Sequence, residues 1–529
     1  MDEKNIAEEI GEKIKEISIA EFFEKNKHLL GYENPTKSLL TVVKEAVDNS
    51  IDACLEARIL PSIKVTVKEV KENVFKVRVE DNGPGLPPDK IPVAFGKFLV
   101  GSKFYRLRQT AGTQGIGIKG AILYAQLTTG KPAKIITYYK NQKHEFELMI
   151  DVLKNEPKII SHKIENLQKN LHGLSIELLV EGRYISKGQS IPTYLKYIWI
   201  ANPYTEIIYD GPQENFKLER VSQELPPTPK EIKPHPYGVE LGKFKRMASL
   251  TKAKTVSNFL SSEFSRVSSQ KALEICKMAK VEPNKKVKEL SEEELERLHK
   301  AIQRIKLMAP PTDCLSPLRE ELIIEALKKE FEPEFIAAVI RKPSVYRGYP
   351  FQVQVALAYG GKLSENQQNS VLLRFANHTP LLYNQSDCAI TRVVEEIDWR
   401  NYGLSQPSGS LPQAPLVILV DLISVWIPYK SEGKQAIAEY PEIMKEIKLA
   451  LQEAGRKLSL YLHKKLKREQ LRTRANIFES YSHVFSEFIA ELTEKNVEYI
   501  KNKLLELIRK GVYKEGEEKK LKEEVIEVK

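Results

Sequence analysis

Glu45, Asn49, Asp52 and Glu56 follow one another at intervals of four, three and four residues. At about 100° per residue on a helix they share one narrow stripe, with Val43, Val47, Ile51 and Cys54 on the opposite side. A side-chain amide such as Asn49 offers magnesium a hard oxygen, leaving the other ligands to phosphate and water. Glu45, one turn earlier, faces the same water and can orient or deprotonate it. Asp81, in Asp81-Asn82-Gly83-Pro84-Gly85, can accept a hydrogen bond from an exocyclic amine such as adenine N6. Gly112, Gly115 and Gly117 then allow backbone N–H groups to approach phosphates closely, ahead of a helix N-terminus that favours anions.

Each feature also has a plainer reading. The stripe suits a solvated amphipathic helix, Asp-Asn-Gly suits a hairpin turn, and a glycine-rich turn is often only a turn. The Gly-Lys-Ser/Thr of a P-loop is absent, and the glycine spacing does not fit a dinucleotide fingerprint. What points to a nucleotide is the ordered combination between Glu45 and Lys119.

The elements that must position these residues are legible in outline. Asn34-Pro35-Thr36 is a start signal for a helix over 36–58. Alternating apolar residues at 63–67 and 74–79 predict paired strands, the second leading into Asp81. Residues 86–111 read as irregular, with a basic cluster at Lys103, Arg106 and Arg108, and a helix follows over 120–126. Strands at 134–139, 143–150 and 174–180 complete an α+β domain. The prolines at 226–236 form a stiff linker. Beyond it, 240–306 reads as helical, with a capping box at Ser291 and Glu294. Strands at 351–359, 371–375 and 415–421 mix with helices, then one long helix runs over 437–474 and another over 477–510. The tail after Gly511 is charged and loose.

At 529 residues the chain is long enough for two to four domains. Hydrophobic residues make up 42% and charged residues 29%, a soluble globular balance. The longest apolar run, 414–428, is too short to span a bilayer, and the N-terminus opens on charges. Four scattered cysteines suggest neither disulfides nor a zinc site. These features imply a cytoplasmic protein. The net charge of +11 suits a polyanionic partner such as DNA, an acidic protein patch or an anionic membrane.

With these motifs the chain resembles the GHKL ATPases (gyrase, Hsp90, histidine kinases and MutL): Glu45, Asn49 and Asp52, then Asp81-x-Gly83-x-Gly85, then Gly112-x-x-Gly115-x-Gly117. Further on, Lys233-Pro234-His235-Pro236-Tyr237-Gly238-Val239, Arg341-Lys342-Pro343, the segment Val393 to Trp399 and the segment Ile427 to Lys434 are similar to the B subunits of DNA topoisomerase VI. The similarity runs in order over residues 20–470. It implies that Glu45 is the general base, Asn49 the Mg2+ ligand and Asp81 the adenine reader, with Asp52, Gly83 and Gly85 in support. Ser102 and Lys103 would line the ATP lid. Gly112, Thr113, Gln114, Gly115, Ile116, Gly117, Ile118 and Lys119 would wrap the phosphates. Lys434 would be the switch lysine at the γ-phosphate, with Lys430 as its competitor, and Glu56 would be merely solvated.

The implied fold is an α+β multidomain chain. It comprises a Bergerat-type GHKL α/β sandwich at 1–228, a helix-two-turns-helix insert at 229–309, an α/β transducer domain with a long C-terminal helix at 310–475, and a helical extension at 476–529. Within the insert, the basic turn 284–288 is a candidate contact for DNA phosphates. The implied function is that of the ATP-hydrolysing B subunit of a type IIB topoisomerase. ATP would drive B–B dimerisation around double-stranded DNA in an A2B2 assembly. No cleavage signature is visible, so the nucleophilic tyrosine is expected on the A subunit. The alternative is an ATP-gated clamp or chaperone resembling MutL or Hsp90, against which the helical insert and the Trp399 and Lys434 motifs speak. One departure stands out: the family's His-Gly-Thr reads His172-Gly173-Leu174-Ser175 here. Leu174 cannot replace a hydroxyl, and Ser175 can do so only if the strand register differs.

Overall fold

The computed structural model describes residues 16–101, 106–110, 112, 115–169, 171–366, 369–431 and 433–512. Ser102, Lys103, Thr113 and Gln114 therefore lie outside the described residues, as do the first fifteen residues and the tail after 512. After a short helix α1 (Ile19–Lys25), helix α2 (Pro35–Glu56) starts where the cap signal predicts. Asn34 accepts from the Lys37 N–H at 2.9 Å and Pro35 occupies the first turn, where a missing N–H costs nothing. Val43, Val47, Ile51 and Cys54 are all buried, so the apolar side of the stripe does face the core.

Strands β1 (Ser62–Lys71) and β2 (Val74–Asp81) pair antiparallel, as their alternation predicts. The segment expected to be irregular holds a short helix α3 (Ile91–Gly96), because Pro92 sits in its first turn, where proline is tolerated. Helix α4 (Gly117–Thr129) begins three residues before the expected start and ends on Gly130, left-handed at φ +66°. Strands β3 (Ala133–Tyr139), β4 (Gln142–Asp151), β5 (Glu156–Asn166) and β6 (Leu174–Glu181) follow. Helix α5 (Ile191–Ala201) and strands β7 (Glu206–Asp210) and β8 (Asn215–Leu218) close the domain. The eight-stranded sheet has the order β5-β4-β3-β6-β2-β1-β7-β8, and only β1 and β7 pair parallel. Sequence patterning missed β5 because this edge strand is exposed along most of its length and carries no alternation.

Four helices form a separate small core: α6 (Leu241–Leu250), α7 (Val256–Glu263), α8 (Ser269–Ala279) and α9 (Glu292–Arg304). The predicted capping box at Ser291 and Glu294 opens α9. After α10 (Glu320–Phe331) comes a second sheet of β9 (Phe335–Ile340), β10 (Ser344–Tyr346), β11 (Tyr349–Tyr359), β12 (Val371–Ala376), β13 (Thr379–Pro380) and β14 (Leu416–Ser424). Its order is β10-β11-β14-β12-β13, with β9 also on β11, and helix α11 (Ala389–Glu396) precedes β14. Both sheets share one continuous apolar core, which includes Leu195 of α5, Leu327 of α10 and Phe375 of β12.

The chain divides into two compact units: one through Asp398 plus Gln406–Ala454, the other Trp399–Ser405 plus the chain from Gly455. In the second unit Trp399 is fully buried and stands edge-on to Tyr402. Helix α12 (Pro441–Thr493) continues well past the expected stop at 474, since no proline or glycine interrupts 456–493. It ends before Glu494, at φ +53°, and Asn496 then accepts from the Glu498 N–H at 2.8 Å to start α13 (Val497–Val512).

Candidate active site

A cavity of about 490 Å³ opens over α2. Glu45, Asn49, Asp81, Gly85, Gly112, Gly115, Gly117, Lys119 and Lys434 all line it, so the structure brings together residues 389 positions apart in the chain (434 − 45).

Asp81 lies at the end of β2, deep in the cavity. Its Oδ1 accepts from the N–H groups of Gly83 (2.8 Å) and Leu174 (3.2 Å), and its Oδ2 accepts from Ser50 Oγ (2.9 Å). Burial pushes its pKa up, while these three donors hold the charged form. Ala46, Leu86, Leu174 and Ile176 supply apolar walls around it, a setting suited to a flat base with one polar edge. A Cβ on Gly83 would stand 2.9 Å from Asp81 Oδ1, so the turn takes glycine to let its own N–H reach the carboxylate.

Glu45 faces the start of α4. A Cβ on Gly117 would stand 1.7 Å from Glu45 Oε2, so the glycine leaves this carboxylate room to lie against the start of the helix. Lys44 Nζ lies 2.9 Å from Asp48 and 3.4 Å from Glu45. Burial works against the lysine's charge, but the two carboxylates hold its pKa above the ordinary range. Asn49 donates its amide nitrogen to the Glu45 carbonyl at 2.6 Å, which leaves its Oδ1 on the Gly112 side. One protein oxygen fits Mg2+, which binds through few protein ligands and completes its shell with phosphates and water. Among the described residues no group of three or more His, Cys, Asp or Glu could hold a metal by itself.

Asp52 does not line this cavity. Its Oδ2 accepts from Gly112 N–H and from Thr110 Oγ1, both at 3.2 Å, so it anchors the glycine loop. Lys119 is buried and donates to the carbonyls of Gly115 (2.9 Å) and Val100, and burial pushes its pKa down to about 8. Glu56 is not merely solvated: one of its oxygens accepts from Arg106 (2.8 Å) and Arg108 (2.6 Å). Sequence periodicity had no access to this pairing, which depends on how residues 106–110 return across α2.

The strand register settles the Leu174 departure. Leu174 lies opposite Asp81 and Ser175 opposite Glu80, so Ser175 points away from the cavity and does not replace the missing hydroxyl. The hydroxyl beside Leu174 belongs to Thr137, directly across on β3, and it donates to the Leu86 carbonyl at 2.9 Å. His172 bonds the carbonyls of Asn82 (2.7 Å) and Gly83 (3.0 Å) and so ties down the Asp81 turn.

Lys434, at φ +51°, is partly buried beside Glu45, Asn49 and Tyr429. Burial lowers its pKa, against the pull of Glu45. Lys430 turns elsewhere, to Glu439 at 3.5 Å. Pro380, Tyr383 and Gln435 join Lys434 on this wall, and sequence reading named none of them. In the basic turn, Lys285 is paired with Glu294 at 2.7 Å and Lys286 with Glu289 at 2.9 Å.

A nucleotide-sized cavity on a carboxylate–amide helix beside a mixed sheet defines the class. Residues 37–176 match the family of histidine kinase-, DNA gyrase B- and HSP90-like ATPases, and an ATPase domain of this class binds ATP. Residues 310–474 match the transducer of the topoisomerase VI B subunits. The B subunit of type 2 DNA topoisomerase 6 from Archaeoglobus fulgidus is 48% identical over 459 residues, covering 86% of this chain and 75% of that one. Its counterpart in Methanosarcina barkeri is 43% identical over 94% of this chain and 80% of its own length. That of Pyrococcus horikoshii is 40% identical over 96% and 97%. The chain belongs to the family of type 2 DNA topoisomerase 6 B subunits. No helix among the described residues is long and apolar enough to cross a membrane.

Proposed function

We propose that this chain is the ATP-driven half of a type IIB DNA topoisomerase, in which closure of two B subunits around a duplex is coupled to its passage through a break made by an A subunit. The observation that carries this reading is the shared cavity. Glu45 and Asn49 come from α2, whereas Lys434 arrives from beyond the second sheet. A cavity with walls from both regions lets one ligand hold them together. In this reading Asp81 and Ser50 recognise the adenine edge, Asn49 holds Mg2+, and Glu45 takes the proton of the attacking water. The N–H groups between Gly112 and Lys119 surround the phosphates. The ATP-lid role of Ser102 and Lys103 is carried over from the family resemblance, as is the phosphate role of Thr113 and Gln114, all four lying outside the described residues. Lys434 acts as a mobile point charge at the terminal phosphate. Mg2+ held at Asn49 would supply charge neutralisation to the bound phosphates.

The functional divisions are an ATPase domain at 1–228, a helix-two-turns-helix insert at 229–309, a transducer at 310–475 and an extension at 476–529. The assembly is A2B2, with B–B dimerisation dependent on ATP and a place on chromosomal DNA. Because Lys285 and Lys286 are already paired, their release on DNA would blunt the gain from phosphate contacts at the 284–288 turn. The test is reconstitution with an A subunit on supercoiled DNA. ATP-dependent relaxation, and dimerisation with a non-hydrolysable analogue, are expected. A pair that hydrolyses ATP without changing linking number would leave a clamp, not a topoisomerase.

A further inference from the structure

The five residues before the glycine loop, Arg106 to Thr110, are fastened residue by residue to different elements. Leu107 accepts from the Ile232 N–H of the linker at 3.0 Å. The Gln109 N–H donates to the Cys314 carbonyl at 3.0 Å, and its side chain both accepts from Ser316 N–H and donates to Ser316 O. The Thr110 carbonyl accepts from Asn377 Nδ2 at 3.0 Å. Asn377 in turn bonds both backbone groups of Ser424, at the end of β14, at 2.9 Å each. Gln109, Ser316, Asn377 and Ser424 are all buried.

The other end of this strap is the loop itself. Thr110 Oγ1 and Gly112 N–H share one oxygen of Asp52. A phosphate that draws the Gly112 N–H toward itself therefore competes at the atom that also holds Thr110. Buried amides resist losing their partners, so a shift of Thr110 must carry Asn377 and Ser424 with it or break those bonds. We propose that the strap Arg106–Thr110 is a second mechanical link between the phosphate loop and the second sheet, separate from Lys434, with Gln109 and Asn377 as its positioning residues. The inference rests on the assignment of the cavity to ATP.

Hydrogen exchange of the assembled A–B complex, with and without a non-hydrolysable ATP analogue, tests it. In the wild type the analogue should slow exchange at residues 115–124 and also at 416–424. Asn377→Gly keeps the left-handed turn (φ +49°) accessible and removes only the side chain. Combined with Gln109→Ala, it should keep the first protection and reduce the second about tenfold, a change of the size expected for a coupling free energy. Asn377→Asp, which keeps the acceptor for Ser424 N–H but loses the donor to the Thr110 and Ser424 carbonyls, should act in the same direction. Protection at 416–424 that survives in both variants would overturn the strap, as would an exchange increase there that is equal with and without nucleotide. No protection at 115–124 in the wild type would overturn the ATP assignment itself, and the inference with it.

Discussion

The two walls of the cavity are built on opposite plans. On the α2 side the polar groups are braced before any ligand arrives: Asp81 by three donors and Asn49 by the Glu45 carbonyl. On the other side Lys434 and Gln435 come from a turn, and Tyr383 has the Lys37 ammonium 4.8 Å from its ring centre. A braced wall recognises, because its geometry does not depend on the ligand. A wall of long side chains from a turn responds, because its energy depends on what it finds opposite. This contrast predicts that substitutions on the first wall affect chemistry and binding, and those on the second affect coupling.

The largest expected effect is at Glu45. Glu45→Ala should lower ATP turnover by about 10²–10⁴, the range for a lost general base, with nucleotide affinity and dimerisation retained. Steady-state hydrolysis alongside analogue binding reads this, and near-normal turnover would remove Glu45 from the base role. Next comes His378, behind the second wall, with Nδ1 2.6 Å from Asp421 and Nε2 3.0 Å from the Ser316 carbonyl. Burial disfavours its charge, but Asp421 and Ser316 raise its pKa above the ordinary value. His378→Gln should cost about 3 kcal/mol of stability, since it takes the cationic partner from a buried carboxylate that keeps the residue-378 backbone N–H. A raised histidine pKa stabilises fully below about pH 6.5 and loses that contribution as pH rises through the folded value. The melting-temperature gap between wild type and variant should therefore narrow toward alkaline pH.

Asp81→Asn should weaken ATP binding by about 10–100-fold, equivalent to about 1.5–3 kcal/mol for a hydrogen bond to a charged group, measurable by calorimetry. If Lys434 is the sensor, Lys434→Ala should reduce relaxation per ATP hydrolysed by about tenfold, with smaller loss of binding, as expected for one charge-assisted contact. The smallest effect is the control: Lys430→Ala breaks a half-exposed pair worth about 0–1 kcal/mol and should change relaxation by less than about twofold. A silent Lys434→Ala beside a defective Lys430→Ala would reverse the roles of the two lysines and collapse the contrast between the walls.

Local periodicity was sufficient for whatever depends on neighbours in the chain. The stripe on α2, the β1–β2 pairing and the Ser291–Glu294 capping box need only spacings of two, three or four residues. The glycines were legible as turns, but the close approaches at Gly85 (to Tyr138 and Gly173) and at Gly117 (to Glu45) came only with the tertiary structure. Tertiary structure alone decided which lysine of the 427–434 segment enters the cavity, and that Ser175 faces away from it. It also converted Glu56 into an ion-pair partner and set Asn377 between Thr110 and Ser424. These outcomes depend on sheet register and on contacts between residues tens to hundreds of positions apart, for which a linear pattern carries no period.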